Sequence, residues 1–235
     1  MTTIASNLQD VRDRVAAACR AAGRSASDVS LLAVSKTFGA DAVLEAYAAG
    51  QRAFGENYIQ EGVQKVQVLA QRGLHGLQWH CIGPIQSNKT RLVAEHFDWV
   101  QSVDRLRIAQ RLSDQRPAGL APLQVCLQVN MDGGANKAGV PPEDVAELAR
   151  EVAQLPRLRL RGLMSIPEPL ADVDACRALH ARTRALLDTL NAEQGLGLDT
   201  LSMGMSADLE AAVHAGSTMV RVGTAIFGAR PYPAA

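Results

Sequence analysis

The chain contains 235 residues, 47% of them hydrophobic and 4% aromatic, which suits an aliphatic α/β domain rather than a surface that stacks nucleic-acid bases. Lysine plus arginine and aspartate plus glutamate number 24 each, so no overall field favours nucleic acid or an anionic membrane. Because there is no signal-peptide core or membrane-length apolar run, and the four cysteines are widely separated, we expect a cytoplasmic protein with reduced thiols and no metal site.

Helical and extended segments alternate along the chain, separated by short turns that contain glycine or proline. Hydrophobic residues recur at helical spacing from Ile4 to Ala22. Strands are then predicted at 31–34, 52–55, 77–82, 99–101, 122–129, 158–164, 200–202 and 218–222, with helices between them. This order predicts a single domain over 1–235, a (β/α)8 TIM barrel with an extra N-terminal helix. A doubly wound open sheet is the alternative that periodicity leaves open.

The first predicted strand brings a lysine to its carboxyl end. The apolar run 31–34 is typical of a strand buried on both faces, and Lys36 follows it. In barrels and doubly wound sheets, this end of the strands faces the ligand. A lysine held against apolar walls loses hydration, so its pKa falls and the neutral amine can form a Schiff base with a carbonyl compound. A solvated lysine just beyond the strand is the alternative.

The turns after the last two strands have the composition of a phosphate site. The segment 202–208 contains Gly204 and Ser206, and we predict Ser206 as the N-cap of the next helix. After the last strand, Gly223 permits close approach of the backbone and Thr224 adds a hydroxyl group. Phosphate groups often bind at these loops of (β/α)8 barrels, through backbone N–H groups. Ordinary helix capping explains the same residues equally well.

Arg221 shares a strand face with Met219, and we expect this face to line the barrel. A buried guanidinium group keeps its charge and needs acceptors, which either a structural carboxylate or a ligand can supply. A Schiff-base lysine, a phosphate site and an arginine between them together favour one cofactor, pyridoxal 5′-phosphate (PLP).

Ordered segments of the chain resemble those of the pyridoxal phosphate homeostasis proteins, also called the YggS or proline synthetase co-transcribed family. The segments are AVSKT at 33–37, FGENY at 54–58, HCIGPIQSNK at 80–89, RGLM at 161–164, LSMGMS at 201–206 and RVGTAIFG at 221–228. That family is similar to the N-terminal barrel of bacterial alanine racemase, so the resemblance implies an alanine racemase N-terminal-domain-like fold.

The resemblance also implies a set of PLP-binding residues: Lys36, Asn57, His80, Ser206, Arg221, Gly223 and Thr224. Lys36 would carry the cofactor as a Schiff base, and the small residues of the two turns would bind its phosphate. Asn57 and His80 would border the ring. Arg221 would approach the pyridine nitrogen, and a permanent cation there disfavours protonation and weakens the ring as an electron sink.

The resemblance favours a cofactor-binding role over catalysis. In two-domain alanine racemases the second base is a tyrosine from a C-terminal β domain, and this chain ends soon after its last predicted strand. We therefore expect a non-catalytic, monomeric protein of PLP homeostasis that binds and buffers PLP and delivers it to apo-enzymes. A PLP-dependent amino-acid racemase using His80 or Lys137 as its base is the alternative, and a PLP-free Schiff-base aldolase is a third class.

Two further lysines, Lys89 and Lys137, are candidates for a second, transient PLP adduct. Their default interpretation is a solvated loop lysine, since lysine is rarely buried.

Overall fold

A computed structural model describes residues 3–133 and 138–229 of the chain. Within them, eight parallel strands form a closed barrel in sequence order. The strands are β1 (Ser30–Val34), β2 (Ala53–Glu56), β3 (Gln78–Cys81), β4 (Trp99–Val103), β5 (Leu123–Val129), β6 (Leu158–Ser165), β7 (Thr200–Ser202) and β8 (Met219–Val222). Strand β1 pairs with β8, in the register Ser30 with Met219 and Ala33 with Val222. This pairing closes the sheet, so the predicted barrel is confirmed and the doubly wound alternative is wrong.

The described α-helices surround the barrel; α2 to α8 lie between consecutive strands, α1 precedes β1 and α9 follows β8. They are α1 (Ile4–Ala21), α2 (Ala40–Ala48), α3 (Ile59–Gln71), α4 (Thr90–His96), α5 (Leu106–Gln115), α6 (Val145–Ala153), α7 (Val173–Gln194), α8 (Leu209–His214) and α9 (Thr224–Phe227). None of the helices in the described ranges combines the length and the apolar character that crossing a membrane requires.

Helix α1 is the extra N-terminal helix that the sequence predicts. Thr3 caps it in a reciprocal pair with Ser6, which satisfies N–H groups that have no partner within the helix. The helix packs on α8 and α9, and the side-chain amide of Asn7 donates to the carbonyl of Ile226 at 3.0 Å. The first helix therefore supports the part of the barrel that follows the last two strands.

The barrel strands are buried because helices cover their outer face and side chains fill their interior. Every residue of β4, and all but Gln124 of β5, is buried, as expected for parallel strands with apolar surroundings on both faces. Inside the barrel, Leu32 and Val34 pack with Ile82 and Met219. The interior also holds a chain of buried polar side chains, which leads to the candidate site.

Candidate cofactor-binding site

A cavity of about 270 Å³ lies at the carboxyl end of the barrel strands. Among the described residues that line it are six of the seven predicted site residues: Lys36, Asn57, Ser206, Arg221, Gly223 and Thr224. These residues follow or belong to β1, β2, β7 and β8, which the closed barrel brings together at one end. The cavity is thus the place where the lysine and the two candidate phosphate turns meet.

Lys36 reaches the cavity from a segment whose backbone is well anchored. The preceding residue, Ser35, is fully buried and its N–H donates to the carbonyl of Gly55 on β2 at 3.0 Å. Its carbonyl accepts from the N–H of Phe38 at 3.1 Å, which turns the chain immediately after the lysine. The wall beside Lys36 includes Val34 and Ile82, the apolar surroundings that the sequence predicts for a Schiff-base lysine.

The turn after β7 differs from the sequence prediction. Ser206 is not the N-cap of the next helix, because α8 begins at Leu209 and Asp208 occupies the N-cap position. The Asp208 carboxylate accepts from the N–H of Met205 at 2.6 Å and closes a turn that Ser206 and Ala207 occupy. Within the described ranges, the N–H groups of these two residues donate to no acceptor in the chain. They line the cavity and are available to an anionic ligand.

His180 on α7 stabilises the same turn through Asp208. Its Nε2 lies 2.9 Å from Oδ2 of Asp208 and donates to that carboxylate. Burial opposes ionisation of Asp208, but the bonds from His180 and from the Met205 N–H outweigh it and lower the pKa of this carboxyl. Cys176 completes a group whose thiol, imidazole and carboxylate donor atoms lie within 4.8 Å of one another. Asp208 is already engaged on both oxygens, so its role in this structure is to shape the turn.

The turn after β8 depends on a residue without a side chain. A Cβ added to Gly223 would lie 3.0 Å from the carbonyl oxygen of Val34 on the neighbouring strand. Thr224 begins the short helix α9, whose first N–H groups have no acceptor within the helix. The two turns therefore present backbone N–H groups to one cavity, which fits a phosphate group.

Arg221 is buried, with 4% of its surface exposed, and its guanidinium binds neutral oxygens. Nη1 donates to the carbonyl and hydroxyl oxygens of Ser202 at 2.6 and 2.7 Å, and Nη2 donates to the carbonyl of Ser165 at 2.8 Å. Burial lowers its pKa to about 10, so the group keeps its charge at neutral pH. No carboxylate in the described part of the chain forms an ion pair with it, and it faces the cavity as a cation.

His80 lies inside the barrel and is absent from the described lining of the cavity. Gln101 donates to its Nδ1 at 2.9 Å, so the ring proton is on Nε2, which donates to Gln78 at 3.1 Å. The Gln101 side chain also accepts from Ser202, which links the ring to Arg221. Burial lowers the pKa of His80 to about 3, so the imidazole is neutral with both nitrogens engaged. Its expected contact with a cofactor ring stays a prediction.

Asn57 carries an unpaired oxygen at the cavity. Its Oδ1 is buried and accepts no hydrogen bond from the described residues. A buried oxygen without a donor is costly, and because this one lies at the cavity it offers an acceptor to a ligand there. The unpaired oxygen, the free N–H groups of the turn and the Lys36 amine together fit a ligand with a phosphate, a carbonyl and a hydrogen-bond donor, as PLP has.

The sequence offers two further candidate lysines, Lys89 and Lys137. Lys89 is half-buried in the turn Ser87–Lys89 and does not line the cavity, and Lys137 lies outside the described residues. The sequence interpretation missed Glu56, Glu61 and Lys65, which surround the backbone of Lys36. Glu56 is the last residue of the apolar strand β2, and a carboxylate on a buried strand requires a partner, which is the signal that could have found them.

The fold and the cavity define a class of protein, the alanine racemase-like barrel with a lysine after its first strand. Residues 6–231 match the family model described as alanine racemase, N-terminal domain. An alanine racemase of Clostridium difficile has the same fold, with a TM-score of 0.71 and 16% identity; the match covers 95% of this chain and 58% of that chain. At this identity the likeness concerns the fold alone.

Two more similar proteins narrow the assignment. The pyridoxal phosphate homeostasis protein of Pseudomonas aeruginosa is 62% identical over 234 residues, which is 100% of this chain and 99% of the relative. The structure of PipY from Synechococcus elongatus with PLP bound superposes with a TM-score of 0.84 at 39% identity, covering 96% of this chain and 100% of that chain. The chain belongs to the pyridoxal phosphate homeostasis proteins, within the alanine racemase N-terminal domain family.

Proposed function

We propose that this chain binds PLP through Lys36 and serves PLP homeostasis by holding the cofactor, buffering its free concentration and delivering it to apo-enzymes. The observation that carries the proposal is the shared cavity, in which Lys36 lies with the free N–H groups of Ser206 and Ala207 and the unpaired oxygen of Asn57. The name of the P. aeruginosa relative and the PLP in the PipY structure support it.

Each part of the cavity has a defined task in this proposal. The Lys36 amine forms a bond to the aldehyde carbon, and the aldehyde oxygen leaves as water, which gives a reversible Schiff base. The N–H groups of the turns after β7 and β8 bind the phosphate group. Arg221 places a cation beside the ring and Asn57 accepts a hydrogen bond. PLP itself supplies the aldehyde and an aromatic ring that can withdraw electrons.

The titratable groups of the cavity support a binding role over racemisation. Among the described lining residues, Lys36 and Arg221 are the only ones that titrate. Racemisation needs a proton donor and an acceptor on opposite faces of the substrate carbon. Arg221 does not release a proton near neutral pH, so Lys36 is the one base in this part of the cavity.

The first experiment identifies the covalent site. Purified protein is mixed with PLP, unbound PLP is removed by gel filtration, the visible absorbance of the protein is recorded, and borohydride reduction is followed by peptide mass mapping. We expect a yellow protein with the reduced adduct on Lys36, a Lys36→Ala variant that stays colourless, and a Lys89→Ala variant that behaves like wild type. Colourless wild-type protein without an adduct at excess PLP would contradict the proposal.

A second experiment separates carrier from enzyme. Exchange of the α-proton of alanine is followed by NMR in heavy water with the PLP-loaded protein. We expect no exchange above that of free PLP, whereas exchange at enzyme-like rates would favour a racemase.

Delivery is tested by mixing loaded protein with an apo-enzyme and measuring the recovery of its activity. We expect a monomer in the cytoplasm, which sedimentation and cell fractionation test.

A further inference from the structure

Three charged side chains lie behind the segment that carries Lys36. The ammonium group of Lys65 on α3 donates to the Glu56 carboxylate at 2.8 Å and to the carbonyl oxygen of Ser35 at 2.7 Å, and it forms an ion pair with the Glu61 carboxylate at 2.6 Å. The ammonium group therefore has three oxygen partners, two of them carboxylates. Lys65 is 5% exposed and Glu56 is fully buried. We call Lys65, Glu56 and Glu61 the Lys65 triad.

Each carboxylate of the triad also holds one side of Lys36. The Ser35 hydroxyl, on the residue before the lysine, donates to Oε1 of Glu56 at 2.6 Å. The Thr37 N–H, on the residue after it, donates to Oε1 of Glu61 at 2.8 Å. Lys65 bridges the two carboxylates, so a single cation secures the backbone on both sides of the reactive lysine.

The conformation of Thr37 requires such support. Its φ of +69° lies in the left-handed region, and Thr37 is the one non-glycine residue with a positive φ in the described ranges. A β-branched residue disfavours this conformation, which persists when its surroundings hold it. Here the bond from the Thr37 N–H to Glu61 and the bond from the Phe38 N–H to Ser35 hold the turn. The turn directs the chain away from β1 while Lys36 lines the cavity.

The triad does not belong to the cavity. None of its three residues is part of the described cavity lining, so none is placed to touch a ligand there. Its influence on the site passes through Ser35 and Thr37.

We propose that the Lys65 triad positions Lys36 for attack on the cofactor aldehyde and thereby sets how fast the Schiff base forms and hydrolyses. This proposal rests on the proposed function, since it needs PLP at Lys36. It assigns Lys65, Glu56 and Glu61 as positioning residues. The covalent step is unchanged: the Nζ–C bond forms as the aldehyde oxygen leaves in a water molecule, and the reverse reaction consumes water and restores the amine and the aldehyde.

The test compares two ligands in several variants. PLP reports the covalent step through its Schiff-base absorbance after rapid mixing. Deoxypyridoxine 5′-phosphate has the same phosphate and ring but a methyl group in place of the aldehyde, so its calorimetric affinity reports the cavity alone. Lys65→Met removes the bridging cation at similar size. Arg72→Met is the matched control, because Arg72 forms an exposed ion pair with Asp41 at the end of the same helix.

We expect Lys65→Met to slow Schiff-base formation by about tenfold, because misplacing a reacting group by a fraction of an ångström is costly. Its affinity for deoxypyridoxine 5′-phosphate should stay within about twofold of wild type, and Arg72→Met should match wild type in both measurements. A wild-type rate in Lys65→Met would overturn the positioning role. A parallel loss of rate and analogue affinity would also overturn it, because that result indicates a loosened cavity.

A second pair of variants decides the question if Lys65→Met does not fold. Glu61→Ala removes the acceptor of the Thr37 N–H, whereas Glu61→Gln retains an oxygen there, and the Glu61 side chain is 31% exposed. We expect Glu61→Ala to slow the reaction and Glu61→Gln to restore most of the rate, with unchanged analogue affinity in both. Equal, wild-type rates in the two variants would overturn the proposal. Wild-type protein that forms no Schiff base would overturn the proposed function and this proposal together.

Discussion

Arg221 on β8 and Ser202 on β7 are joined by two hydrogen bonds, from Nη1 to the serine carbonyl and hydroxyl oxygens. Ser202 then donates to Gln101, and Gln101 donates to His80, so a buried polar chain runs from the cavity into the barrel. The cation at the cavity is therefore held in place by neutral groups on neighbouring strands. This arrangement leaves its charge available to a ligand.

Arg221→Met is expected to destabilise the fold by about 2 to 4 kcal/mol, because it leaves buried oxygens of Ser202 and Ser165 without donors. Urea unfolding measures the loss. Arg184→Met is the control: Arg184 forms an exposed i,i+4 pair with Asp188, and its removal should change stability by less than about 0.5 kcal/mol. Equal losses in the free energy of unfolding for Arg221→Met and Arg184→Met would show that the buried hydrogen bonds of Arg221 do not stabilise the fold more than an exposed ion pair does.

Gly223→Ala tests the turn after β8. The new methyl group would lie 3.0 Å from the carbonyl oxygen of Val34, so the backbone that faces the cavity must move. We expect the affinity for PLP to fall by about tenfold, or about 1.4 kcal/mol. Gly119→Ala is the matched control, since an added Cβ there meets nothing within 4 Å. Unchanged affinity in Gly223→Ala would show that the backbone at 223 is not part of the phosphate site.

Asp208 shapes the other turn, so Asp208→Ala should affect both stability and ligand binding. The substitution removes the acceptor of the Met205 N–H and of His180, which costs about 1 to 3 kcal/mol. With the turn loosened, we expect weaker binding of deoxypyridoxine 5′-phosphate by calorimetry. Asp188→Ala, which removes an exposed carboxylate, should change neither quantity. Full analogue affinity in Asp208→Ala would mean that the turn forms without its carboxylate.

Because His80 is buried as a neutral imidazole, we expect the free energy of unfolding to depend on pH. Its pKa is lowered from 6.5 to about 3 by burial, so the unfolded chain binds a proton in a pH range where the folded chain does not. Stability should therefore fall as the pH falls below about 6.5, with a total loss of the order of 4 kcal/mol near pH 3. Urea unfolding at several pH values measures the slope. His80→Asn should flatten it, while His75→Asn, at an exposed histidine, should leave it unchanged.

Much of the fold was readable from the sequence because the signals are local. The apolar runs of β1 and β5 and the alternation of helix and strand predict a (β/α)8 barrel, since each such strand needs cover on both faces. Lys36 could be placed at the cavity because a residue after a barrel strand lies at the ligand-binding end. Gly223 and Thr224 follow from the same rule.

The sequence prediction is wrong where the position of a residue depends on contact with a residue that is distant in sequence. Ser206 has the composition of an N-cap, but Asp208 takes that position because its carboxylate closes the turn on Met205 and is held by His180 from α7. Nothing near Ser206 indicates that His180 lies there. The sequence therefore predicts the start of α8 too early, with Ser206 as its N-cap, whereas the helix begins at Leu209 after the turn.

The sequence by itself determined the alternation of strands and helices, the lysine after the first strand and the small residues of the two turns, because periodicity and the order of the segments carry that information. The pairing of β1 with β8, which closes the barrel, is a tertiary contact. Only the tertiary structure decided the Lys65 triad and the interior position of His80. Lys65 and Glu61 have the spacing of an exposed helical pair, and the sequence does not reveal that Glu56 from β2 and the carbonyl of Ser35 meet them in the interior. The cost of burying a charge is offset by partners that folding brings together, and those partners are separated along the chain.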